Sequence, residues 1–409
     1  MNGSAGGGRV ALSVTAAQVR VLLTKAHRLD ERAGEDAVCA VAGLSGVQDS
    51  PPGAAAMVLH ARAGGITSAV LERALTVDRT LVRTWAMRGA PYVVPTADLS
   101  VFTTGVLPVD EKARTNLLVG VRQALDELSG GLDDYVAAAA DAVREVLSGQ
   151  RLEINELGRE VAERMGSALP EHDRAAWKAE GPYAKGQPLG EGVVHFCIRI
   201  LTLQQLLCFA PRQGRTAPFV LLSEWLDGVP QLTGEAARRE LARRFLRAYG
   251  PSTPAGLARW LGVAASDAPA WWNLIRDDRV RVDVDGSHRW LLVEDLQTLQ
   301  ASRGGAITGV RLLPPRDPFL QLPHREVLVA DRAQQRQLWR PLHSPGALLL
   351  DGAIAGTWRG RKKSSRLEIT VAPFRPLPRT ALTSIDDAAQ ALALARGAVN
   401  ATVAVGGPS

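Results

Sequence analysis

The chain has little cysteine and no long apolar run. The three cysteines in 409 residues are Cys39, Cys197 and Cys208, and their odd number and wide spacing fit neither a disulfide framework nor a zinc cluster. No stretch of about 18 uncharged apolar residues is present, so no transmembrane helix is expected. The seven histidines are scattered without a His-Glu-x-x-His pattern, and the sequence therefore predicts no metal and no cofactor.

The first residues also lack the features of an export signal. Residues 1–8 read Met-Asn-Gly-Ser-Ala-Gly-Gly-Gly, without a basic segment or a long apolar stretch, which is typical of a flexible tail. An apolar content of 46% and a charged content of 22% fit a soluble globular protein. We therefore expect a cytoplasmic protein that works as a monomer and does not bind a membrane.

Positive charge is modest in total but unevenly distributed. The formal net charge is +6, whereas phosphate binding depends on local clusters of Lys and Arg. Residues 355–380 carry seven basic side chains against a single acid, Glu368, and we predict that they form a hairpin that contacts DNA. The predicted contacts are Arg359, Arg361, Lys362, Lys363 and Arg366. A second basic cluster, within residues 238–247, fits either DNA contact or a solvated helix face.

The order of helices, turns and short strands predicts a mainly helical α+β fold built from three winged-helix units. A winged helix is a helix-turn-helix followed by a β-hairpin, and three such units favour a protein that wraps a duplex. The third unit is the clearest, because Asp285-Gly286 is typical of a two-residue turn between strands. The predicted division is 12–105 for the first unit, 106–150 for a helical connector, 151–230 for the second unit, 235–300 for the third, and 305–400 for a β-rich, barrel-like part that carries the basic hairpin.

Two predicted recognition helices bear on function. In the first unit, Asp78 is expected to cap a helix over residues 79–87, with Arg88 at its end facing DNA or interacting with the helix terminus. In the second unit, residues 193–207 are the predicted recognition helix, although their apolar composition also fits a core helix.

Five short motifs follow one another along most of the chain. Their sequences are Thr-Trp-Ala-Met-Arg-Gly at 84–89, Phe-Leu-Arg-Ala-Tyr-Gly-Pro-Ser-Thr at 245–253, Trp-Leu-Gly at 260–262, Leu-Leu-Leu-Asp-Gly at 348–352 and Gly-Thr-Trp-Arg at 356–359. In this order they resemble the AlkZ-like (YcaQ-like) family of bacterial DNA glycosylases. The resemblance implies winged helices around a basic channel, and double-stranded DNA with alkylated purines as the partner. It further implies hydrolysis of the N-glycosidic bond of bulky N7 adducts or interstrand crosslinks, in repair or in self-resistance to a DNA-alkylating antibiotic.

The family's catalytic motif is Gln-x-Gln or Gln-x-Asp, and residues 46–52 read Gly-Val-Gln-Asp-Ser-Pro-Pro at the corresponding place. Aligned without gaps, Gln48 falls on the first Gln, Asp49 on the middle position, and Ser50 on the second Gln or Asp. The resemblance therefore implies a catalytic site at Gln48, Asp49 and Ser50. A plain alternative stays open, in which Asp49 and Ser50 only cap a helix that begins at Pro51.

These residue types suit the release of a cationic base. Alkylation at N7 makes guanine a good leaving group, so the enzyme mainly has to hold a water near C1′ and stabilise oxocarbenium-like charge. A Gln amide holds water at a fixed geometry, a carboxylate such as Asp49 also serves as base and counter-charge, and Ser50 only positions the water. No lysine lies in the motif, and a Schiff-base lyase step is not expected.

In a second interpretation, the protein binds DNA but has no catalytic activity. The serine at the third motif position favours a non-catalytic winged-helix protein, either a regulator or a protein that sequesters a DNA lesion. Base release from alkylated duplex DNA distinguishes the two interpretations, because an enzyme leaves abasic product and a binder does not.

Overall fold

The computed structural model describes residues 12–214, 216–302 and 307–407, and the predicted N-terminal tail 1–8 lies outside the described residues. The strands are β1 (Leu12–Val14), β2 (Val47–Gln48), β3 (Leu81–Trp85), β4 (Pro91–Pro95), β5 (Leu207–Phe209), β6 (Phe219–Leu221), β7 (Arg279–Val284), β8 (Ser287–Leu292), β9 (Val310–Leu313), β10 (Gly346–Leu350), β11 (Ala353–Lys363), β12 (Arg366–Pro373) and β13 (Asn400–Val405). The helices are α1 (Ala16–Ala26), α2 (Val38–Ser45), α3 (Ala54–Arg62), α4 (Ser68–Thr76), α5 (Leu99–Phe102), α6 (Glu111–Leu117), α7 (Val121–Leu125), α8 (Leu132–Leu147), α9 (Ile154–Ala168), α10 (Glu171–Lys178), α11 (Leu189–Leu203), α12 (Leu222–Trp225), α13 (Gly234–Tyr249), α14 (Pro254–Leu261), α15 (Pro269–Trp272), α16 (Leu296–Ala301), α17 (Arg332–Leu338) and α18 (Arg379–Ala395). Across these described ranges, every helix is too short or too polar to span a lipid bilayer.

Local sequence explains where several helices begin. The Thr15 hydroxyl accepts the Gln18 N–H at 3.2 Å and the Gln18 side chain accepts the Thr15 N–H at 2.9 Å, which forms a capping box before α1. Before α14, Thr253 caps the helix and Pro254 occupies the first turn, as the sequence predicts. Gly262 ends α14 with a left-handed φ of 85°.

The described strands form three sheets. The order β2-β4-β3-β5-β6 makes one sheet from the first and second predicted units. The predicted hairpin of the third unit is present as antiparallel β7 and β8, and β1 adds to it in parallel. The last sheet has the order β13-β12-β11-β10-β9, in which β12 and β13 are parallel and the other neighbours are antiparallel.

The C-terminal part is an open sheet, and the prediction of a barrel-like part is wrong for the described residues. Strands β9 and β13 are the two edges of this sheet and do not pair with each other. Helix α18 buries the apolar face instead, because Ile385 and Leu392 pack with Trp358, Leu367 and other residues of the sheet in one cluster. A helix laid across the sheet thus replaces closure as the means of removing apolar surface from water.

The recognition helix predicted over residues 79–87 is also wrong. Residues 81–85 form β3, which pairs antiparallel with β4 and, at Arg83, with β5. Periodicity does not separate a short buried strand from a helix, and Val82, Thr84 and Trp85 have the β-branched or aromatic side chains that favour a strand. Residues 81–84 are buried, as expected for an inner strand of a sheet.

Two large hydrophobic cores organise the chain. One contains Val82 of β3, Phe245 of α13, Leu291 of β8 and Leu349 of β10, and so joins segments predicted as separate units. The other surrounds α11, which packs against α8 and α9 and is buried along most of its length. The core-helix interpretation of residues 193–207 therefore fits α11 better than that of a recognition helix. The unit boundaries and the winged-helix character of each unit stay predictions.

Candidate active site and DNA-binding face

Gln48 lies at the end of β2, where its backbone pairs with Tyr92 of β4. The side chain is 8% exposed and reaches a cleft of about 470 Å³. Among the lining residues of this cleft are Gln48, Arg88, Arg259, Arg316, Arg325 and Trp339. Of the three predicted catalytic residues, Gln48 lines the cleft, whereas Asp49 and Ser50 do not. The pairing of β2 thus presents one motif residue to the cleft and turns the next one inward.

Asp49 is a buried anchor. Its Oδ2 accepts a hydrogen bond from Arg83 Nε at 2.9 Å and one from Arg212 Nη2 at 3.0 Å. Its Oδ1 accepts the N–H groups of Gly53 at 3.0 Å and Ala55 at 3.3 Å. With 1% exposure and two donors on each oxygen, the carboxylate has used the acceptor sites that a general base needs.

The capping alternative for Asp49 and Ser50 fits in part. Helix α3 begins at Ala54, three residues after the position expected from Pro51, and Gly53 precedes it with a left-handed φ of 84°. The Asp49 carboxylate accepts the N–H of Gly53, just before this helix, and that of Ala55, its second residue, so it stabilises the helix start without occupying the N-cap position. Ser50 is half-buried beside it.

Arg83 and Arg212 are functional-site residues that sequence reasoning missed. Arg83 comes from β3 and is 3% exposed, and its Nη2 also lies 3.5 Å from a Glu72 carboxylate oxygen. Arg212 lies between β5 and β6 and is 163 residues from Asp49 along the chain. Residues this far apart in sequence form no local motif that could be recognised. The pairing of β3 with β5 brings Arg83 and Arg212 to the Asp49 carboxylate.

Arg88 lies in the cleft with Gln48, although it does not end a helix. It occupies the tight turn between β3 and β4 with a φ of 58°. Its Nη1 donates to the Trp260 carbonyl at 2.7 Å, and its Nη2 donates to the Gln321 side chain at 2.7 Å and to the Tyr92 hydroxyl. Burial raises the pKa of Tyr92, so the phenol stays protonated, while Arg88 beside it acts in the opposite direction.

The rim of the cleft is strongly positive. Arg88, Arg259, Arg316 and Arg325 are all exposed, and no acidic side chain lines the cleft within the described residues. Arg259, Arg316 and Arg325 are not among the predicted site residues, and the last two lie in a proline-rich stretch without a recognisable motif. Four guanidinium groups around one cleft suit the binding of phosphates.

The predicted basic hairpin is present as β11 and β12. Its register shows on which face of the sheet each of the five predicted DNA contacts lies. Arg361 faces Glu368, and Lys363 faces Arg366, while Arg359 lies on the same side of β11. These four cations are exposed on one face of the sheet. Lys362 points to the other face, where its Nζ donates to the carbonyls of Arg396 at 3.2 Å and Gly397 at 2.8 Å, just after α18.

This basic face begins at the rim of the cleft. Arg359 Nη2 donates to the His343 carbonyl at 2.8 Å, and the next two residues, Ser344 and Pro345, line the cleft. The cations of β11 then follow at alternate positions away from it. The second basic cluster behaves differently, because Arg239 and Arg243 pair with Asp278 on a solvated face of α13.

Comparisons with known proteins place the chain in a family. The family described as DNA glycosylase AlkZ-like matches residues 41–395. An interstrand DNA cross-link repair glycosylase from Streptomyces sahachiroi is 24% identical over 328 residues, which cover 78% of this chain and 80% of that protein. The solved structure of the Streptomyces sahachiroi DNA glycosylase AlkZ has a TM-score of 0.74 and 21% identity, and the match covers 97% of this chain and 100% of that one.

The match of this family model to most of the chain identifies the protein as a DNA glycosylase. The chain belongs to the AlkZ-like family of these enzymes.

Proposed function

We propose that the protein hydrolyses the N-glycosidic bond of bulky N7-alkylated purines in duplex DNA, interstrand crosslinks among them. Such an activity serves DNA repair or self-resistance to a DNA-alkylating antibiotic. The name of the Streptomyces sahachiroi relative, an interstrand DNA cross-link repair glycosylase, supports interstrand crosslinks as substrates and DNA repair as the role. The proposed reaction needs no metal and no cofactor.

The observation that carries the proposal is the position of Gln48. Its amide is the motif group in the cleft, and no hydrogen bond from the described residues engages it. An N7-alkylated purine is already cationic and leaves without strong acid catalysis, so a group that holds water near C1′ is the main requirement. We assign this task to Gln48.

Asp49 is proposed as a positioning residue. Its N–H donates to the Pro91 carbonyl at 2.9 Å and its carboxylate is fixed by Arg83 and Arg212. These bonds hold the residue next to Gln48 rigidly, which fixes the backbone that presents the amide. Ser50 does not line the cleft and receives no catalytic role in this proposal.

Duplex DNA is proposed to bind across the cleft rim and the basic hairpin face. Arg88, Arg259, Arg316 and Arg325 would hold phosphates near the lesion, and the face that begins at Arg359 would hold the flanking backbone. Both parts belong to one chain, and we propose that the enzyme works as a monomer.

A base-release assay tests the proposed function. Duplexes carrying one N7-methylguanine or one bulky N7-alkylguanine are incubated with the protein, and alkali then cuts any abasic site. We expect strand cleavage after alkali and intact strands before it, with faster release of the bulky base. Tight binding to the damaged duplex without abasic product would instead support a non-catalytic lesion binder.

A further inference from the structure

A short loop beside the cleft presents an isolated apolar side chain to solvent. The loop covers residues 339–345, between α17 and β10, and its Leu342 is 76% exposed. Burial of a leucine side chain is favourable, and this leucine makes little use of it within the chain.

The loop is held in one conformation. Proline occupies positions 341 and 345, and His343 has a left-handed φ of 53°. The His343 carbonyl accepts the hydrogen bond from Arg359 Nη2, and the Ser344 hydroxyl donates to the Arg340 carbonyl at 2.7 Å. A preorganised loop presents Leu342 without a large entropic cost when it binds a partner.

Leu342 lies close to the cleft of Gln48. Trp339 and Ser344 line that cleft on either side of it in sequence, and two residues of chain span at most about 7 Å. Arg340 and Arg359 flank the leucine with exposed positive charge. An apolar tip between cations, next to a catalytic cleft, fits a polyanion with an apolar interior.

We propose that Leu342 is a wedge that enters the base stack of duplex DNA beside the lesion. This inference rests on the proposed function, because it assumes that the lesion lies at the Gln48 cleft. Insertion would bury the leucine between bases while Arg340 and Arg359 hold the adjacent phosphates. The opened stack gives the cleft access to the glycosidic bond of the damaged nucleotide.

The test uses 2-aminopurine, whose fluorescence rises when it unstacks, placed next to a tetrahydrofuran abasic analogue in a duplex. The full-length protein is added to saturation, which is checked by anisotropy. We expect wild type to raise the fluorescence severalfold, Leu342→Ala to lose most of this rise, and Leu342→Met to restore it. Leu394→Ala is the matched control, since Leu394 is 61% exposed on α18, which covers the opposite face of the sheet.

Two outcomes would overturn the wedge. One is a saturated wild-type complex without a rise in fluorescence, and the other is a Leu342→Ala complex with the wild-type rise. Base release is measured separately and should fall about tenfold in Leu342→Ala. If wild type releases no base but unstacks 2-aminopurine through Leu342, the proposed function fails and the wedge stands.

Discussion

Two groups of cations in this protein have similar side chains and opposite surroundings. Arg83 is buried and Arg212 is mostly buried, with 3% and 17% exposure, and they share the carboxylate of Asp49, with Glu72 nearby. Arg361, Lys363 and Arg366 stand on an exposed sheet face around a single acid, Glu368, which Lys363 contacts at 2.9 Å. Burial and pairing, and not residue type, therefore separate the arginines that we expect to stabilise the fold from those that we propose to contact DNA.

The energetics of the two groups follow from this difference. A buried charge that loses its partner costs several kcal/mol, because its desolvation is no longer offset. An exposed cation costs little to remove, yet an unpaired one is ready to replace counterions on DNA. Changes in the first group should therefore alter stability, whereas changes in the second should alter DNA affinity and its dependence on salt.

The largest expected effect is at Asp49. Asp49→Asn keeps the shape but removes the carboxylate that Arg83 and Arg212 share, and we expect a loss of about 3–5 kcal/mol in the free energy of unfolding. Urea unfolding measures it. The matched control is Asp141→Asn, an 83% exposed partner of Arg144, which should change stability by less than about 1 kcal/mol. Equal losses in both variants would remove the distinction between the two groups.

Low pH should also reduce the stability of the fold, because it protonates the buried His27. Burial, followed by the positive charge of Arg62, lowers the pKa of His27 from 6.5 to about 4, although the Ala248 carbonyl and Asp317 act in the opposite direction. The unfolded chain binds this proton near pH 6.5 and the folded chain near pH 4, so stability falls as the pH drops between these values, by up to about 3 kcal/mol. Melting temperatures from pH 7.5 to 4 should fall less steeply in His27→Gln than in wild type. Parallel curves would show that His27 does not cause the acid sensitivity.

The exposed face should respond to salt instead. The double variant Arg361→Ala with Arg366→Ala should bind DNA about tenfold more weakly at low salt, with a salt slope of log K reduced by about two. Its free energy of unfolding should stay within about 0.5 kcal/mol of wild type. Changing Arg144 and Arg164 to Ala removes two other exposed arginines and should leave the salt slope unaltered. An unaltered slope in the hairpin variant would exclude this face from DNA contact.

The smallest expected effect is at Lys362, which lies on the opposite face of the hairpin from the exposed cations. It belongs to the same hairpin but binds the carbonyls after α18, so Lys362→Ala should lower stability by up to about 1 kcal/mol. DNA affinity, measured by anisotropy, should change less than it does in Lys363→Ala. A larger loss of affinity in Lys362→Ala would show that the two faces of the hairpin are wrongly assigned.

Local sequence predicted those features that depend on neighbouring residues. The capped start of α14, the Asp285-Gly286 turn and the basic hairpin all appear at the expected places. Turn and cap residues act within a few positions, so their patterns are visible in a single chain. The strand at β3 was mistaken for a helix because a short buried run is compatible with both.

The candidate site was less accessible to sequence reasoning. The motif indicates Gln48, Asp49 and Ser50 together as the site. In the structure the Gln48 side chain lines the cleft, whereas the Asp49 side chain is buried in the interior. The partner Arg212 comes from 163 residues away, and its approach depends on how β5 joins the sheet. Side-chain direction on a two-residue strand is likewise set by its neighbour β4, and not by the strand's own residues.

The most direct test of the catalytic assignment is a single-turnover measurement of base release by Gln48→Ala at saturating protein. We predict that the rate constant falls by about 100-fold or more, while DNA affinity and melting temperature stay at wild-type values. Gln150→Ala, an exposed glutamine after α8, should release the base at the wild-type rate. A Gln48→Ala variant as fast as Gln150→Ala would contradict the assignment of Gln48 as the group that holds the attacking water.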